Sequence, residues 1–178
     1  MIRRAGEGRY AHVEREQRWI ASGVPPDAQR WAEIVDRYIR GTRLRLRHTE
    51  SDEQIVYKLG QKVRLHANDP ETVKLTNVYL SYEEFAVLAS LPATVLCKTR
   101  WRVGWEGKTV AVHQFHGRLD GLVLAEVELA PGDCRLGSPP FAVRDVTNDD
   151  RFSGGALALA PDESVAGLLL DAGTRDGT

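Results

Sequence analysis

Charge recurs at every second position in several short segments of this chain, and that period limits what the chain can fold into. Glu14, Glu16 and Arg18 alternate in "VEREQRWI", and Arg43, Arg45 and Arg47 in "GTRLRLRH". Lys98, Arg100 and Arg102 alternate in "CKTRWRV", and Glu126 and Glu128 in "LVLAEVEL". Residues two apart point the same way in a β-strand. Each segment therefore reads as a strand with one charged face and, at Leu44 and Leu46 or at Val127 and Leu129, an apolar one. A single strand of this kind is ordinary where a sheet faces water. Recurrence on four distant strands, with the signs segregated, is harder to place on a surface. Like charges on one face repel, and surfaces normally intersperse their signs. A closed barrel resolves this. Its interior can be polar, while its apolar outer faces are covered by helices. Converging faces of this kind would offer a divalent cation its carboxylates and a polyanion its arginines.

At 178 residues the chain is long enough for one domain with a real core. Its net charge of −1 argues against a broad basic surface for duplex nucleic acid or an anionic membrane, but leaves room for a local basic pocket. Cys97 and Cys134 make neither a disulfide framework nor a zinc site. The start has no signal-peptide pattern, and no stretch approaches the roughly 20 apolar residues of a membrane span. The location expected is cytoplasmic.

Residues 1–11 read as a flexible leader and 12–20 as the first strand. Pro25 and Pro26 break the chain after it. "WAEIVDRYIRG" is ambiguous, helical in its early spacing and extended at its end. Strands are expected at 43–49, 54–60 and 74–80. Ser81, with Glu84 at the capping-box spacing, opens a helix. Strands at 94–103, 108–115 and 122–129 follow, the first two joined by the "GWEG" hairpin turn. A turn and a short helix close the domain, capped by Thr147 or Ser153. The chain is thus α+β and mainly β, with a single domain over 12–160 and a tail over 161–178.

"GWEGKT" lacks the first glycine of a P-loop, since Arg102 stands there. His113 and His116 fall on opposite faces of a strand, which disfavours zinc. Trp101 is out of phase with the basic residues and belongs outside the barrel. Lys62 and Arg64 read as rim residues, and Arg43 and Arg102 as candidates for the cavity mouth.

Taken in order, these segments resemble the triphosphate tunnel metalloenzymes, the CYTH superfamily. "EREQRWI" resembles that family's Glu-x-Glu-x-Lys strand through Glu14 and Glu16, with Arg18 at the lysine position. "LRLR" resembles its second strand, "IVYKLG" the next with Lys58, "CKTRW" its Lys-x-Arg strand, and "GLVLAEVEL" its late Glu-x-Glu strand. "DVTNDDRFSGGALA" is similar to the closing segment of small bacterial members. Tyr38 falls where many members carry a tyrosine. His113 stands where members commonly carry an aspartate.

The resemblance implies an eight-stranded antiparallel closed tunnel, with helices packed outside, that binds triphosphates with Mg²⁺ or Mn²⁺. It implies metal ligands at Glu14, Glu16, Glu126 and Glu128. It implies substrate-binding cations at Arg18, Arg45, Arg47, Lys58, Lys98 and Arg100, and catalytic positions at Glu14, Glu16, Arg18 and Tyr38. The six cations outnumber the four carboxylates by two. One or two divalent ions would bring the lining to about +4 to +6, close to the charge of a triphosphate. The function expected is metal-dependent hydrolysis of a small triphosphate or polyphosphate, inorganic triphosphate first. A non-catalytic polyphosphate- or nucleotide-binding module is the alternative, as is a member of the adenylate cyclase or thiamine triphosphatase type. No duplex nucleic acid and no membrane partner is expected, and a homodimer is admissible.

Overall fold

The computed structural model describes residues 10–65 and 71–173, with side chains through 170. The leader read over 1–11 therefore lies mostly outside the described residues, as do positions 174–178 of the tail.

The described residues form nine strands: β1 (His12–Ala21), β2 (Gln29–Ile39), β3 (Leu44–Glu50), β4 (Ile55–Arg64), β5 (Thr72–Leu80), β6 (Ala93–Trp105), β7 (Lys108–Phe115), β8 (Val123–Glu128) and β9 (Ala142–Asp145). Neighbours run β5-β4-β3-β2-β6-β7-β8-β1, all antiparallel. Pairing of His12–Arg15 with Thr72–Leu75 closes the ring. The result is an eight-stranded closed barrel with no free edge around its wall. β9 is an extra strand alongside the second half of β1. It escaped the sequence reading because four residues carry too little alternation to register.

β2 resolves the ambiguous segment as strand as far as Ile39, with a turn at Arg40 and Gly41. Its ladder with β6 slips between Arg30 and Ala32, so Trp31 is an inserted bulge residue. The bulge shifts the alternation by one position and leaves a spacing that imitates a helix.

Two apolar clusters hold the barrel. Outside the β1, β6, β7 and β8 wall, Trp19, Val103, Val110, Val112, Ala125 and Val127 are covered by Trp101, Trp105, Leu136 and Phe141. Trp101 thus packs outside, as its phase requires. Inside one end of the barrel, Ile20, Leu96, Phe115 and Leu124 meet Val146, Phe152 and Leu157. The last two come from a short 3₁₀ turn and from α2 (Gly154–Leu159), which together cap that end. Ser153 caps α2 by accepting from the Ala156 amide, whereas Thr147 Oγ1 accepts from the Arg18 backbone N–H at 3.0 Å. α3 (Asp162–Gly173) occupies much of what reads as a tail, and its Val165 and Leu168 join the capping cluster. α1 (Tyr82–Ala89) starts at Ser81 with the full capping box and lies against β3, β4 and β5. Among the described residues no helix is long and apolar enough to cross a membrane.

Candidate functional site

In an antiparallel ladder, directly opposed residues share a face. Following opposed pairs around the ring identifies the inner surface. Arg18 opposes Glu126, and Glu16 opposes Glu128. Tyr38 opposes Arg45, and Asp36 opposes Arg47. Arg47 opposes Lys58, and Arg45 opposes Gly60. Lys98 opposes Phe115, and Arg100 opposes His113. Ala111 beside Glu126, and Glu14 beside Val73, complete the circuit. All of Glu14, Glu16, Arg18, Tyr38, Arg45, Arg47, Lys58, Lys98, Arg100, Glu126 and Glu128 fall on this one face. So do Asp36, Lys62 and His113, for which the sequence reading assigned no site role.

The face divides into two walls. Carboxylates concentrate on β1 and β8 and cations on β3, β4 and β6, while β2 contributes Asp36 and Tyr38. On the carboxylate wall, Arg18 Nε donates to Glu126 Oε1 at 2.6 Å, and Nη2 donates to Glu16 Oε2 at 3.2 Å. Burial works against the charged guanidinium, but Glu126 and Glu16 outweigh it and raise the Arg18 pKa. His113 Nε2 lies 3.1 Å from the other Glu126 oxygen, Oε2. Burial, reinforced by the charge of Lys98, drives the His113 imidazole down to about 3. It is therefore neutral near pH 7. Facing a carboxylate, its Nε2 carries the proton and donates, which leaves the buried Nδ1 without a hydrogen-bond partner among the described residues. Burial would raise Glu126, but Arg18 and His113 hold it well below the usual carboxylate range. Lys62 is not a rim residue: its Nζ lies 2.9 Å from Glu14 Oε2 and 3.5 Å from Glu16 Oε1. Glu128 is exposed and has no ion-pair partner among the described residues.

On the basic wall, fully buried Asp36 receives Arg47 in a two-pronged bond, Nε to Oδ1 at 2.6 Å and Nη2 to Oδ2 at 2.7 Å. Arg45 Nε lies 3.6 Å from the same carboxylate. Burial alone would raise Asp36, but Arg47 and Arg45 hold it far below its ordinary value. Lys98 is buried, with Nζ 5.5 Å from the Phe115 ring centroid. Burial, with Arg47 close by, brings it down to about 7. The buried Nε atoms of Arg45 and Arg100 have no hydrogen-bond partner among the described residues. Gly60, opposite Arg45, leaves room for the Asn77 side chain, since a Cβ there would stand 3.0 Å from Asn77 Oδ1. Lys58 lies over the exposed Tyr79 ring at 4.7 Å. Arg102 stacks on the bulge residue Trp31 at 4.0 Å, with Arg100 at 5.2 Å. Arg43 is exposed and precedes β3. Tyr38 sits at the capped end, where a Cβ on Gly154 of α2 would collide with its hydroxyl. Burial, followed by the nearby Asp36 charge, raises its pKa.

A face of arginines and lysines, with one buried aspartate set into it, opposite a row of carboxylates, inside a closed antiparallel barrel, is the arrangement the motif order implied. A solved structure titled the hypothetical protein NE1496 superposes with a TM-score of 0.57 over 83% of this chain and 98% of its own, at 22% identity. A second, titled the inorganic triphosphatase NE1496, superposes with a TM-score of 0.56 over 83% of this chain and 95% of its own. The chain has the closed antiparallel tunnel fold of these two structures. The PH1819 protein of Pyrococcus horikoshii OT3 is a more distant likeness, with a TM-score of 0.50, 14% identity and 90% coverage of each chain. In sequence, 67 residues are 36% identical to an inorganic triphosphatase of Acetivibrio thermocellus, a match that takes in 38% of this chain and 43% of that protein. The chain thus spans less than half the length of that curated relative. No protein-family model matches it.

Proposed function

We propose that this chain binds a small triphosphate, inorganic triphosphate first, within the barrel and hydrolyses it with the help of Mg²⁺ or Mn²⁺. The observation that carries this reading is the basic wall. A buried guanidinium nitrogen left without a partner is costly unless a ligand supplies the acceptor, and Arg45 and Arg100 each have one. Arg47, fixed in place by Asp36, with Lys58 and Lys98, completes a surface matched to phosphate oxygens. The named activity of the Acetivibrio relative and of NE1496 agrees with this substrate class.

The donors on the opposite wall fit the metal. Glu14, Glu16, Glu126 and Glu128 supply hard carboxylate oxygens. Among the described residues no three acidic, histidine or cysteine side chains converge into a cage. Mg²⁺ is commonly held by one or two carboxylates together with substrate phosphates, so a cage is not required. Bound there, the ion would neutralise phosphate charge and polarise the scissile phosphoryl group.

The chain's own part is positioning. Arg45, Arg47, Lys58, Lys98 and Arg100 hold the phosphates against one wall, which turns the terminal phosphorus towards the other. A water oxygen attacks that phosphorus as the bridging P–O bond breaks, releasing phosphate and pyrophosphate. Glu126 is a poor base because Arg18 and His113 hold its pKa low, so the water's proton goes to Glu14 or Glu16. Tyr38 lies deep under α2, where its part is to fix Arg45.

One observation favours a second reading, a polyphosphate binder without turnover. Arg18 is tied to two carboxylates and cannot give up a proton at neutral pH, so it cannot activate water. Incubation with inorganic triphosphate, ATP and thiamine triphosphate, with Mg²⁺ or Mn²⁺, separates these readings. Metal-dependent phosphate release fastest from inorganic triphosphate supports the hydrolase. Tight calorimetric binding without turnover leaves the binder, and cyclic AMP with pyrophosphate from ATP points to a cyclase.

A further inference from the structure

We infer that Lys62 is a further phosphate-binding residue of the barrel, one that turns its ammonium from Glu14 and Glu16 onto a phosphate oxygen shared with Arg45. This inference rests on the triphosphate-binding reading above and deepens it.

Lys62 stands where the two walls meet. Two residues beyond Gly60 on β4, it shares the inner face with Gly60, which opposes Arg45. Across β5, Leu75 opposes both Lys62 and His12 of β1. β5 itself lines the inner face with Val73, Leu75 and Asn77, which carry no charge. Lys62 therefore supplies positive charge at this seam.

Its hold on the carboxylates is loose. Nζ lies 2.9 Å from Glu14 Oε2 and 3.5 Å from Glu16 Oε1. The shorter contact lacks hydrogen-bond alignment, since buried Glu14 Oε2 has no hydrogen-bond partner among the described residues. Asp36 grips Arg47 differently, with two bonds of 2.6 and 2.7 Å. The Lys62 side chain is 37% exposed, and a flexible four-carbon stem with three rotatable donors lets its ammonium turn.

Arg45 supplies the reason to turn. Burial and the Arg45 charge oppose the Lys62 ammonium, and Glu16 and Glu14 outweigh both. Arg45 Nε is buried and has no hydrogen-bond partner among the described residues. A phosphate oxygen between the two cations satisfies that nitrogen, relieves their repulsion and gives Lys62 a charge-assisted bond. The phosphate is then gripped from both walls, which a row of cations on one side cannot do.

The test uses a methylene-bridged, non-hydrolysable triphosphate with Mg²⁺. By calorimetry wild type should bind it, and Lys62→Met should bind it at least about tenfold more weakly. In a crystal structure of the wild-type complex, Lys62 Nζ should lie about 3 Å from a phosphate oxygen. A Lys62→Met affinity within about threefold of wild type, or a bound triphosphate with no oxygen in hydrogen-bond reach of Lys62, would overturn the inference and leave the triphosphate reading standing. No binding to wild type would overturn both. Should Lys62→Met fail to fold, the wild-type complex still decides.

Discussion

The two walls of the barrel are built on the same plan with opposite signs. Each carries a row of like charges, and each has one residue of the other sign set into it. On the carboxylate wall that residue is Arg18, between Glu126 and Glu16. On the basic wall it is Asp36, between Arg47 and Arg45. The two differ in what they leave unsatisfied. Arg18 and His113 use up Glu126 but leave Glu128 unpaired. Asp36 occupies two nitrogens of Arg47 and leaves the buried Nε of Arg45 and of Arg100 without hydrogen-bond partners among the described residues. The inset residue in each wall therefore fixes its neighbours and still leaves capacity for a ligand, cationic on one side and anionic on the other. A wall of like charges alone would be floppy and self-repelling, and a fully paired wall would have nothing left to bind with.

The comparison breaks most visibly at Asp36. Asp36→Asn leaves Arg47 buried and uncompensated, which costs about 3–5 kcal/mol. For a chain of this size that lowers the melting temperature by roughly 10 °C in thermal unfolding. The double variant Asp36→Asn, Arg47→Met should cost less than the sum of the two singles, since it removes both charges.

Arg100→Gln acts on the ligand rather than the fold. Loss of charge-assisted bonds from one guanidinium should weaken triphosphate binding about 10- to 100-fold by calorimetry. The melting temperature of the ligand-free protein should hold or rise, because burial and the nearby Arg47 and Arg102 charges oppose this cation.

A smaller effect distinguishes Lys98. Its folded pKa of about 7 lies below the ordinary lysine value. Phosphate favours the charged form, so binding above pH 7 takes up a proton and affinity falls as pH rises through that range. Calorimetry at pH 8 in buffers of different ionisation enthalpy should detect this uptake, and Lys98→Arg should abolish its Lys98 share. The same shift affects stability. Between about 7 and the unfolded lysine value the unfolded chain binds more protons, so Lys98 opposes folding fully below pH 7 and ceases to do so as pH rises through that window.

The smallest expected effect is a control outside both walls. Ser81→Ala removes the α1 cap and should cost about 1 kcal/mol of stability with triphosphate affinity unchanged.

Much of the barrel was legible because a closed antiparallel sheet keeps one period. Every candidate from Glu14 to Glu128 reached the inner face once its strand was in register, since opposed residues share a face all the way round. What escaped depended on partners from other strands. Asp36 lies in the segment whose alternation the Trp31 bulge disrupts, and a lone aspartate among apolar residues has no local signature of being clamped by two arginines. Lys62 sits beyond the strand end expected at residue 60, yet β4 continues to Arg64 and carries it to Glu14 and Glu16. His113 was noticed as an absent acid, but its hydrogen bond to Glu126 exists only because β7 and β8 are adjacent. α3 was hidden by a polar, glycine-containing end, and its few buried contacts lie on Val165 and Leu168. One signal could have exposed Asp36: it stands two residues before Tyr38, in the same phase as the lining residues.

The division of labour between the walls is tested most directly by a crystal structure with Mn²⁺ and a methylene-bridged, non-hydrolysable triphosphate, with the metal located by anomalous scattering. The prediction is phosphate oxygens on Arg45, Arg47, Lys58, Lys98 and Arg100, an anomalous peak between the phosphates and the carboxylate wall of β1 and β8, and Arg18 still joined to Glu126. Phosphates lying outside the barrel, or along β1 and β8 with Arg18 swung away from Glu126, would contradict the account.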